Sequence, residues 1–246
     1  RFLEHLKERE PYLRLSSIGK PIRQQWYDLK GYKGKPLTPD VKMKFLFGDI
    51  LEELLLFLAK EAGHTVERTQ EKVSLDDVPG SIDAIIDGIL VDTKSASTYS
   101  WHKFNDGRLK EDDPFGYLHQ LSGYSAALGG YDGAFLVIDK TLGKLCLDRY
   151  SKEELSNFKP KEKIQEVRTS LESDTPPPRC YPDEEDGKSG NRKLGIGCSF
   201  CNHNEECWKD SNNGQGLKIY SYSTGPRFLT KVVREPNVFL INKVSN

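Results

Sequence analysis

The sequence lacks three features that would each point to a narrow class of protein. No apolar run approaches the roughly 18 residues that a transmembrane helix requires, so we expect no membrane partner. The formal net charge is only −1, from 36 basic and 37 acidic residues, so overall charge gives no sign of nucleic-acid binding, although a local basic groove is compatible with it. Methionine occurs only at Met43 and the first residue is Arg1, so we expect the native N-terminus to lie upstream.

Cysteine is scarce as well, and its placement argues against a disulfide framework. Three of the five cysteines lie within residues 198–207, and Cys180 lies just upstream of them. Clustering of this kind is typical of a metal or iron–sulfur site in a reducing compartment. We therefore expect a cytoplasmic protein, located in the host cytoplasm if the chain is viral.

The patterning of apolar residues predicts an α/β fold. Apolar residues at helical spacing predict the strongest helix over 41–62, which Gly63 ends. Further helices are predicted over 114–128 and 151–172, and strands over 65–75, 81–86, 89–94, 133–139 and 144–149. This order of elements predicts a mixed β-sheet flanked by helices.

The dipeptide Asp87-Gly88 predicts a two-residue turn, which sets the register of the strands on either side. Counting outward from the turn places Asp83 opposite Asp92, where side chains are roughly 4.5–5.5 Å apart and like charges repel. Lys94 lies two residues further along and shares the face of Asp92. One face of the hairpin is therefore predicted to carry two carboxylates and an ammonium group.

A divalent cation would relieve the repulsion between these carboxylates. Mg²⁺ binds oxygen ligands and keeps several waters, one of which can become a nucleophile that the lysine orients. The alternative is an exposed hairpin whose acids are simply solvated. A lone D-x-K motif favours that alternative, and the register across the turn favours the metal.

Three other polar residues are weak signals when each is taken alone. Glu52 lies among apolar positions of the predicted helix, although Glu is seldom buried without a partner. Gln120 and Tyr124 are four residues apart and share one helical face. Residues of these types at this spacing usually pack or hydrogen-bond locally.

Together these residues form four motifs in a fixed order. The motifs are G-x-x-x-E at Gly48–Glu52, G-x-x-D at Gly80–Asp83, D-x-K at Asp92–Lys94 and Q-x-x-x-Y at Gln120–Tyr124. Over residues 40–140 they resemble the PD-(D/E)XK nuclease superfamily, and within it the RecB-type and phage exonuclease branch that includes AddB and the CRISPR-associated exonucleases. The resemblance implies a restriction-endonuclease-like core over residues 1–173, including the N-terminal helical segment.

The resemblance also implies a role for each motif residue. The residues implied as ligands of a catalytic Mg²⁺ or Mn²⁺ are Glu52, Asp83 and Asp92. Lys94 would be the catalytic lysine, and Gln120 and Tyr124 would contact the DNA backbone. Many RecB-type members have His where this sequence has Glu52, and a Glu at that position is closer to the viral exonucleases.

The function implied by the resemblance is metal-dependent hydrolysis of phosphodiester bonds from DNA ends. Single strands or frayed ends are the favoured substrate, and phage or bacterial recombination or repair is the implied setting. Whether a recombination or helicase partner takes part is left open. Two alternatives stay open. One is a structure-specific DNA endonuclease on the same core, and the other is a non-catalytic nucleic-acid-binding module organised by the cysteines.

The cysteine-bearing region is predicted as a loop over residues 174–216, followed by C-terminal strands over 217–246 that pack on the core. Cys198-x2-Cys201-x5-Cys207 supplies three thiols, and Cys180 is a plausible fourth ligand of a structural Zn²⁺ or [4Fe–4S] cluster. His203 could replace one thiol in a zinc site. Unligated, reduced thiols are the alternative.

The remaining cysteine, Cys146, alternates with polar residues on a predicted strand and is expected to be a small buried hydrophobe. The C-x2-C-x5-C spacing is similar to that of iron–sulfur nucleases such as AddB, in which a further ligand comes from an N-terminal segment. The matching stretch here, residues 17–23, has no cysteine. The resemblance therefore implies that the N-terminal ligand, which would join the two ends of the chain through the cluster, is absent or that Cys180 replaces it.

Overall fold

The computed structural model describes residues 11–241, which divide into two compact units. The first unit contains residues 11–21 and 37–174, and the second contains 22–36 and 175–241. The sequence predicted a single core over residues 1–173, whereas the segment 22–36 clusters with the C-terminal residues. No helix in the described part of the chain is long and apolar enough to cross a membrane.

The helices and strands are numbered in chain order. The helices are α1 Ile22–Leu29, α2 Pro39–Glu61, α3 Thr98–Asn105, α4 Tyr117–Ala127, α5 Lys152–Ser156, α6 Pro160–Leu171, α7 Ile196–Ser199, α8 Asn204–Cys207 and α9 Ser211–Gly214, and a 3₁₀ turn spans Leu15–Ser17. The strands are β1 Val66–Glu67, β2 Lys72–Leu75, β3 Val78–Ser81, β4 Ala84–Ile86, β5 Ile89–Ala96, β6 Gly133–Asp139, β7 Leu145–Tyr150, β8 Asp183–Glu185, β9 Arg192–Leu194, β10 Lys218–Tyr222 and β11 Gly225–Lys231.

The first unit is built on a five-stranded sheet in the order β1-β4-β5-β6-β7. β5 and β6 are parallel and the other neighbouring strands are antiparallel, so the sheet is mixed and flanked by helices, as the sequence predicted. A parallel pair needs a long crossover, and here the crossover contains α3 and α4. The predicted helix over 151–172 is two helices, because the chain turns at Lys159 with φ 48° before Pro160 begins α6.

The hairpin of β4 and β5 has the predicted register. Asp87 and Gly88 have φ of 49° and 79°, as a two-residue turn of type I′ requires. Ile85 pairs with Leu90 in the ladder, and both side chains are buried. β4 begins only at Ala84, however, so Asp83 lies outside the ladder and is not directly paired with Asp92.

Helix α2 packs against β5 and divides its apolar residues between two faces. Leu51, Leu55 and Leu56 are buried. The apolar side chains that remain 41–60% exposed are Met43, Phe45, Phe47, Ile50, Leu54, Phe57 and Leu58. The helical periodicity predicted the helix, but a helix that is apolar nearly all round does not reveal which face meets the sheet.

The second unit contains an antiparallel sheet in the order β10-β11-β9-β8. The sequence predicted an irregular loop over 174–216, whereas β8 and β9 form strands within it and pair with the C-terminal strands. Leu194, Trp208 and Leu217 form a small buried cluster, against which Cys198 and Cys207 pack. The cysteine-bearing region and the C-terminal strands therefore share one core.

Candidate active site

Asp92 and Lys94 lie two residues apart on β5, so their side chains project from the same face of the strand. Asp92 is 1% exposed. Lys94 Nζ forms an ion pair with Asp92 Oδ2, although the contact lacks the alignment of a hydrogen bond. Lys94 Nζ also lies 4.9 Å from the centroid of the Tyr117 ring. The strand thus buries a carboxylate and holds an ammonium group directly beside it.

Asp83 reaches the same place from the start of β4. Its Oδ2 accepts hydrogen bonds from the backbone N–H and the Oγ1 hydroxyl of Thr93, at 2.8 and 3.0 Å. Thr93 is the residue between Asp92 and Lys94, so the Asp83 carboxylate is bound at the centre of the motif. The sequence predicted a direct strand pair, and the structure replaces it with a side chain that bonds to β5.

The charges of this cluster act strongly on one another. Burial raises the pKa of Asp92; Lys94 opposes the rise and the charge of Asp83 adds to it. Burial alone would lower the pKa of Lys94, but Asp92 and Asp83 outweigh that effect and raise it. Lys94 is therefore a fixed positive charge, and the buried Asp92 carboxylate is stabilised only in part by its neighbour.

Glu52 projects from α2 and is buried, with 7% of its surface exposed. Gln70 Nε2 donates a hydrogen bond to Glu52 Oε1 at 2.5 Å, and the Gln70 backbone N–H donates to the Asp83 carbonyl at 3.1 Å. Gln70 therefore connects Glu52 to the backbone of Asp83. No sequence motif pointed to Gln70 or to Thr93.

Gln120 and Tyr124 lie on one face of α4 beside the carboxylates. Gln120 Nε2 donates a hydrogen bond to Asp92 Oδ1 at 2.9 Å. Tyr124 is 3% exposed, and burial raises its pKa, with further contributions from Asp92 and Asp83. The structure thus places Gln120 as a support of the buried carboxylate; direct contact of either residue with DNA stays a prediction.

The donor set fits a hard divalent cation through two carboxylates. Asp92 Oδ2 is buried without an aligned hydrogen bond, and Asp83 is an oxygen donor close enough to raise the pKa of Asp92. Mg²⁺ is commonly bound by one or two carboxylates and several waters. Within residues 11–241, no three His, Cys, Asp or Glu side chains group closely enough to hold a metal ion, so Glu52, Asp83 and Asp92 do not form a three-ligand group here.

The predicted cysteine ligands lie in the second unit. Cys198, Cys201 and Cys207 are half-buried and Cys180 is exposed. The Cys201 backbone N–H donates to the Cys198 carbonyl at 3.2 Å, which closes a tight turn between the two. Burial, together with the charge of Cys207, raises the pKa of Cys198 to about 11. The thiols thus influence one another, although the described residues contain no grouping of three ligands.

Residues 22–36 contact the cysteine-bearing region directly. Arg23 Nε donates a hydrogen bond to Cys207 Sγ at 3.1 Å. His203 is 3% exposed, and its Nε2 lies 2.6 Å from Asp28 Oδ1. The stretch that lacks the expected N-terminal cysteine is therefore joined to this region by an arginine, and His203 is engaged by a carboxylate.

The structural neighbours of the chain are alkaline and phage-related exonucleases. An alkaline exonuclease from Laribacter hongkongensis is 14% identical with a TM-score of 0.46, covering 69% of this chain and 94% of that chain. Its complex with dAMP is 14% identical with a TM-score of 0.44, covering 70% and 93%. A phage-related exonuclease from Haemophilus somnus 129PT is 17% identical with a TM-score of 0.44, covering 68% and 95%.

No family model matches the sequence, and no curated protein matches it. The similarity to solved structures is too low to assign an activity. The function is therefore inferred from the arrangement of the side chains themselves.

Proposed function

We propose that the chain is a metal-dependent DNA exonuclease that hydrolyses phosphodiester bonds from DNA ends. The observation that carries the proposal is the buried Asp92 carboxylate, which is paired with Lys94 and next to Thr93, the residue to which the Asp83 carboxylate is hydrogen-bonded. Burial of charge without full compensation costs free energy that a purely structural hairpin would avoid. Such an arrangement is expected where a bound ligand completes the site.

Asp83 and Asp92 would hold the catalytic Mg²⁺ or Mn²⁺, and Glu52 would join them through a change in its contact with Gln70. The cation supplies a Lewis acid for the phosphate and an activated water at neutral pH. Lys94 keeps its positive charge, so it binds a non-bridging phosphate oxygen and stabilises the negative charge that develops there. Gln120 orients the Asp92 carboxylate through its hydrogen bond.

The second unit is proposed to hold a structural Zn²⁺ or iron–sulfur cluster through Cys198, Cys201 and Cys207, with Cys180 as the fourth ligand. The turn between Cys198 and Cys201 and the N–H···S contact from Arg23 support this proposal. Elemental analysis of anaerobically prepared protein tests it. Neither zinc nor iron at a stoichiometric level would overturn it.

End-labelled DNA tests the proposed activity. The protein is incubated with linear single-stranded, linear double-stranded and circular DNA, each with Mg²⁺, Mn²⁺ or EDTA. We expect metal-dependent release of nucleotides from the linear substrates only. Cleavage of the circles would instead indicate an endonuclease, and DNA binding without any cleavage would indicate a binding module.

A further inference from the structure

A cleft of about 210 Å³ in the first unit begins at Lys94 and follows the end of β5 to the first turn of α3. We name it the strand-end cleft. β5 and β6 end side by side there, because Ala96 pairs with Asp139 and the Lys140 backbone N–H donates to the Ala96 carbonyl at 3.0 Å. Ligands of α/β sheets commonly bind outside the carboxyl ends of parallel strands.

The acidic side chains of the strand-end cleft are already engaged with other groups, which leaves one lysine able to bind an anion. Asp112 already forms an ion pair with Lys103. Asp113 accepts hydrogen bonds from the first backbone N–H groups of α4, at 3.0 and 2.9 Å. Lys140 is exposed and, among residues 11–241, forms no ion pair with a carboxylate. With the hydroxyls of Ser97 and Ser100 on the same cleft, these features favour an anionic ligand.

The lining of the cleft also presents an aromatic surface. Phe115 is 52% exposed, and its ring lies 5.5 Å from that of Tyr117 at an interplanar angle of 31°. Tyr117 in turn lies beneath the Lys94 ammonium. An aromatic surface therefore extends from the predicted catalytic lysine to the rim of the cleft.

The backbone holds Phe115 in place although its ring is exposed. On one side, Asp113 is fixed by its bonds to α4. On the other, Gly116 has φ 72° and lies so close to Gly19 that a Cβ at Gly116 would be 2.2 Å from the Gly19 backbone. An aromatic ring on such a fixed loop can bind a ligand with little loss of conformational freedom.

We infer that the strand-end cleft binds one nucleotide of a single DNA strand next to the scissile phosphate. The base stacks on Phe115, and the phosphate binds Lys140 with the hydroxyls of Ser97 and Ser100. A single strand offers the free base face that this wall can bind, whereas bases within a duplex are stacked on each other. The inference rests on the proposed function, because it takes Lys94 to lie at the scissile phosphate.

The stacking contact is tested with Phe115→Ala. Binding of a labelled single-stranded oligonucleotide is measured by fluorescence anisotropy in Ca²⁺, and cleavage is measured separately in Mg²⁺. Loss of one base–aromatic stack should weaken binding roughly five- to hundred-fold, with KM raised and kcat little changed. Phe115→Trp should restore binding. Phe57→Ala is the matched control, because Phe57 is 55% exposed on α2.

The phosphate contact is tested with Lys140→Ala. Removing one phosphate contact should reduce the slope of log affinity against log salt by about 0.7, the value for a single strand. Lys72→Ala is the control, because Lys72 is exposed on β2, away from the cleft. An unchanged salt slope for Lys140→Ala would overturn the assignment of this lysine to phosphate.

The outcomes separate the cleft from the activity. If the parental protein cleaves and Phe115→Ala binds and cleaves equally well, the cleft inference is wrong and the proposed function stands. If the parental protein binds single strands without cleaving and Phe115→Ala loses that binding, the cleft is supported and the nuclease proposal fails. A parental protein that neither binds nor cleaves overturns both.

Discussion

The carboxylate site of the first unit and the cysteine-bearing region of the second concentrate reactive side chains in different ways. Asp92 and Lys94 are fixed by the regular spacing of one strand inside a five-stranded sheet. The cysteines lie on short helices and turns around a small core. The backbone of the first site is therefore held by the hydrogen bonds of the sheet, whereas that of the second is held by local contacts around its core.

This difference predicts different consequences of mutation in the two regions. A change at the carboxylate site should mainly affect the rate of cleavage, because the sheet holds the surrounding backbone. A change among the cysteines should mainly affect folding, because they lie on short helices and turns around a small core and a bound metal contributes to folding free energy.

Asp92→Ala and Lys94→Met should both reduce cleavage at least about 10²–10³-fold, the size of effect seen when a group that stabilises developing charge is removed. Their stabilities without divalent cations should differ. Asp92→Ala leaves the Lys94 charge with only the weaker attraction of Asp83 and should lower the unfolding free energy, by at most about 3–5 kcal/mol. Lys94→Met keeps an apolar stem, and Asp92 can then take up a proton because burial already raises its pKa.

Chemical denaturation in EDTA and initial rates in Mg²⁺ measure these two effects, with Lys72→Ala as the control. A Lys94→Met variant that cleaves at the parental rate contradicts the assignment of the active site. Equal stability of Asp92→Ala and the parental protein would show that the ion pair contributes nothing to folding.

Cys201→Ser should remove any bound metal and lower the melting temperature by about 10 °C or more. In a chain of this size 1 kcal/mol of unfolding free energy corresponds to about 2–4 °C, so this shift is a loss of about 3–5 kcal/mol. The variant should cleave at nearly the parental rate at temperatures where it remains folded. Cys146→Ser is the matched control, because Cys146 lies on β7 of the first unit. A Cys201→Ser variant of parental stability that has lost cleavage would reverse the contrast between the regions.

Local patterns predicted the hairpin well, because a two-residue turn fixes its register over only a few residues. The same patterns could not predict that Asp83 bonds to Thr93, because that contact depends on where β4 begins. Gln70 was missed for a related reason. Gln70 lies in a loop and has a φ of 56°, and no motif in the sequence specifies such a left-handed backbone conformation.

The organisation of the second unit was harder to predict because its contacts are distant in sequence. Arg23 and Cys207 are 184 positions apart, and Asp28 and His203 are 175 apart. No periodicity or spacing in a single sequence reports contacts over such separations. The cysteine spacing alone therefore pointed to no contacting segment. The resemblance to iron–sulfur nucleases pointed to the stretch 17–23, but not to Arg23 as the residue that makes the contact.

Gln120→Ala removes the hydrogen bond to Asp92 and should reduce cleavage about 10- to 150-fold, which corresponds to about 1.5–3 kcal/mol for a hydrogen bond to a charged group. Because Gln120 orients a proposed metal ligand, the Mg²⁺ concentration for half-maximal activity should rise. Tyr124→Phe is expected to have a smaller effect, since it removes only a hydroxyl from a side chain that stays buried.

DNA affinity in Ca²⁺ distinguishes this supporting role from direct contact with the DNA backbone. If Gln120→Ala loses DNA affinity with an unchanged Mg²⁺ requirement, the residue contacts DNA as the sequence motif implied. Loss of melting temperature and activity together in both variants would instead indicate that they only anchor α4.

The smallest effect is expected for Arg23→Gln in the second unit. Arg23 Nε donates to Cys207 Sγ at 3.1 Å, and Arg23 Nη2 donates to the Tyr27 hydroxyl at 3.2 Å. Arg23 Nη1 also donates to the Pro177 carbonyl. Glutamine keeps a donor but loses the planar fork that makes these bonds at once. We expect a loss of about 1–2 kcal/mol in unfolding free energy, since each hydrogen bond contributes about 0.5–1.5 kcal/mol.

Cleavage by Arg23→Gln should be unchanged, because Arg23 belongs to the unit that contains the cysteines and not the carboxylates. Denaturation curves and initial rates are compared with those of Arg108→Gln, which removes an exposed arginine of the first unit. A tenfold loss of cleavage at parental stability would mean that Arg23 acts on substrate. That outcome would contradict the predicted contrast between the two regions, because a residue of the second unit would then take part in cleavage.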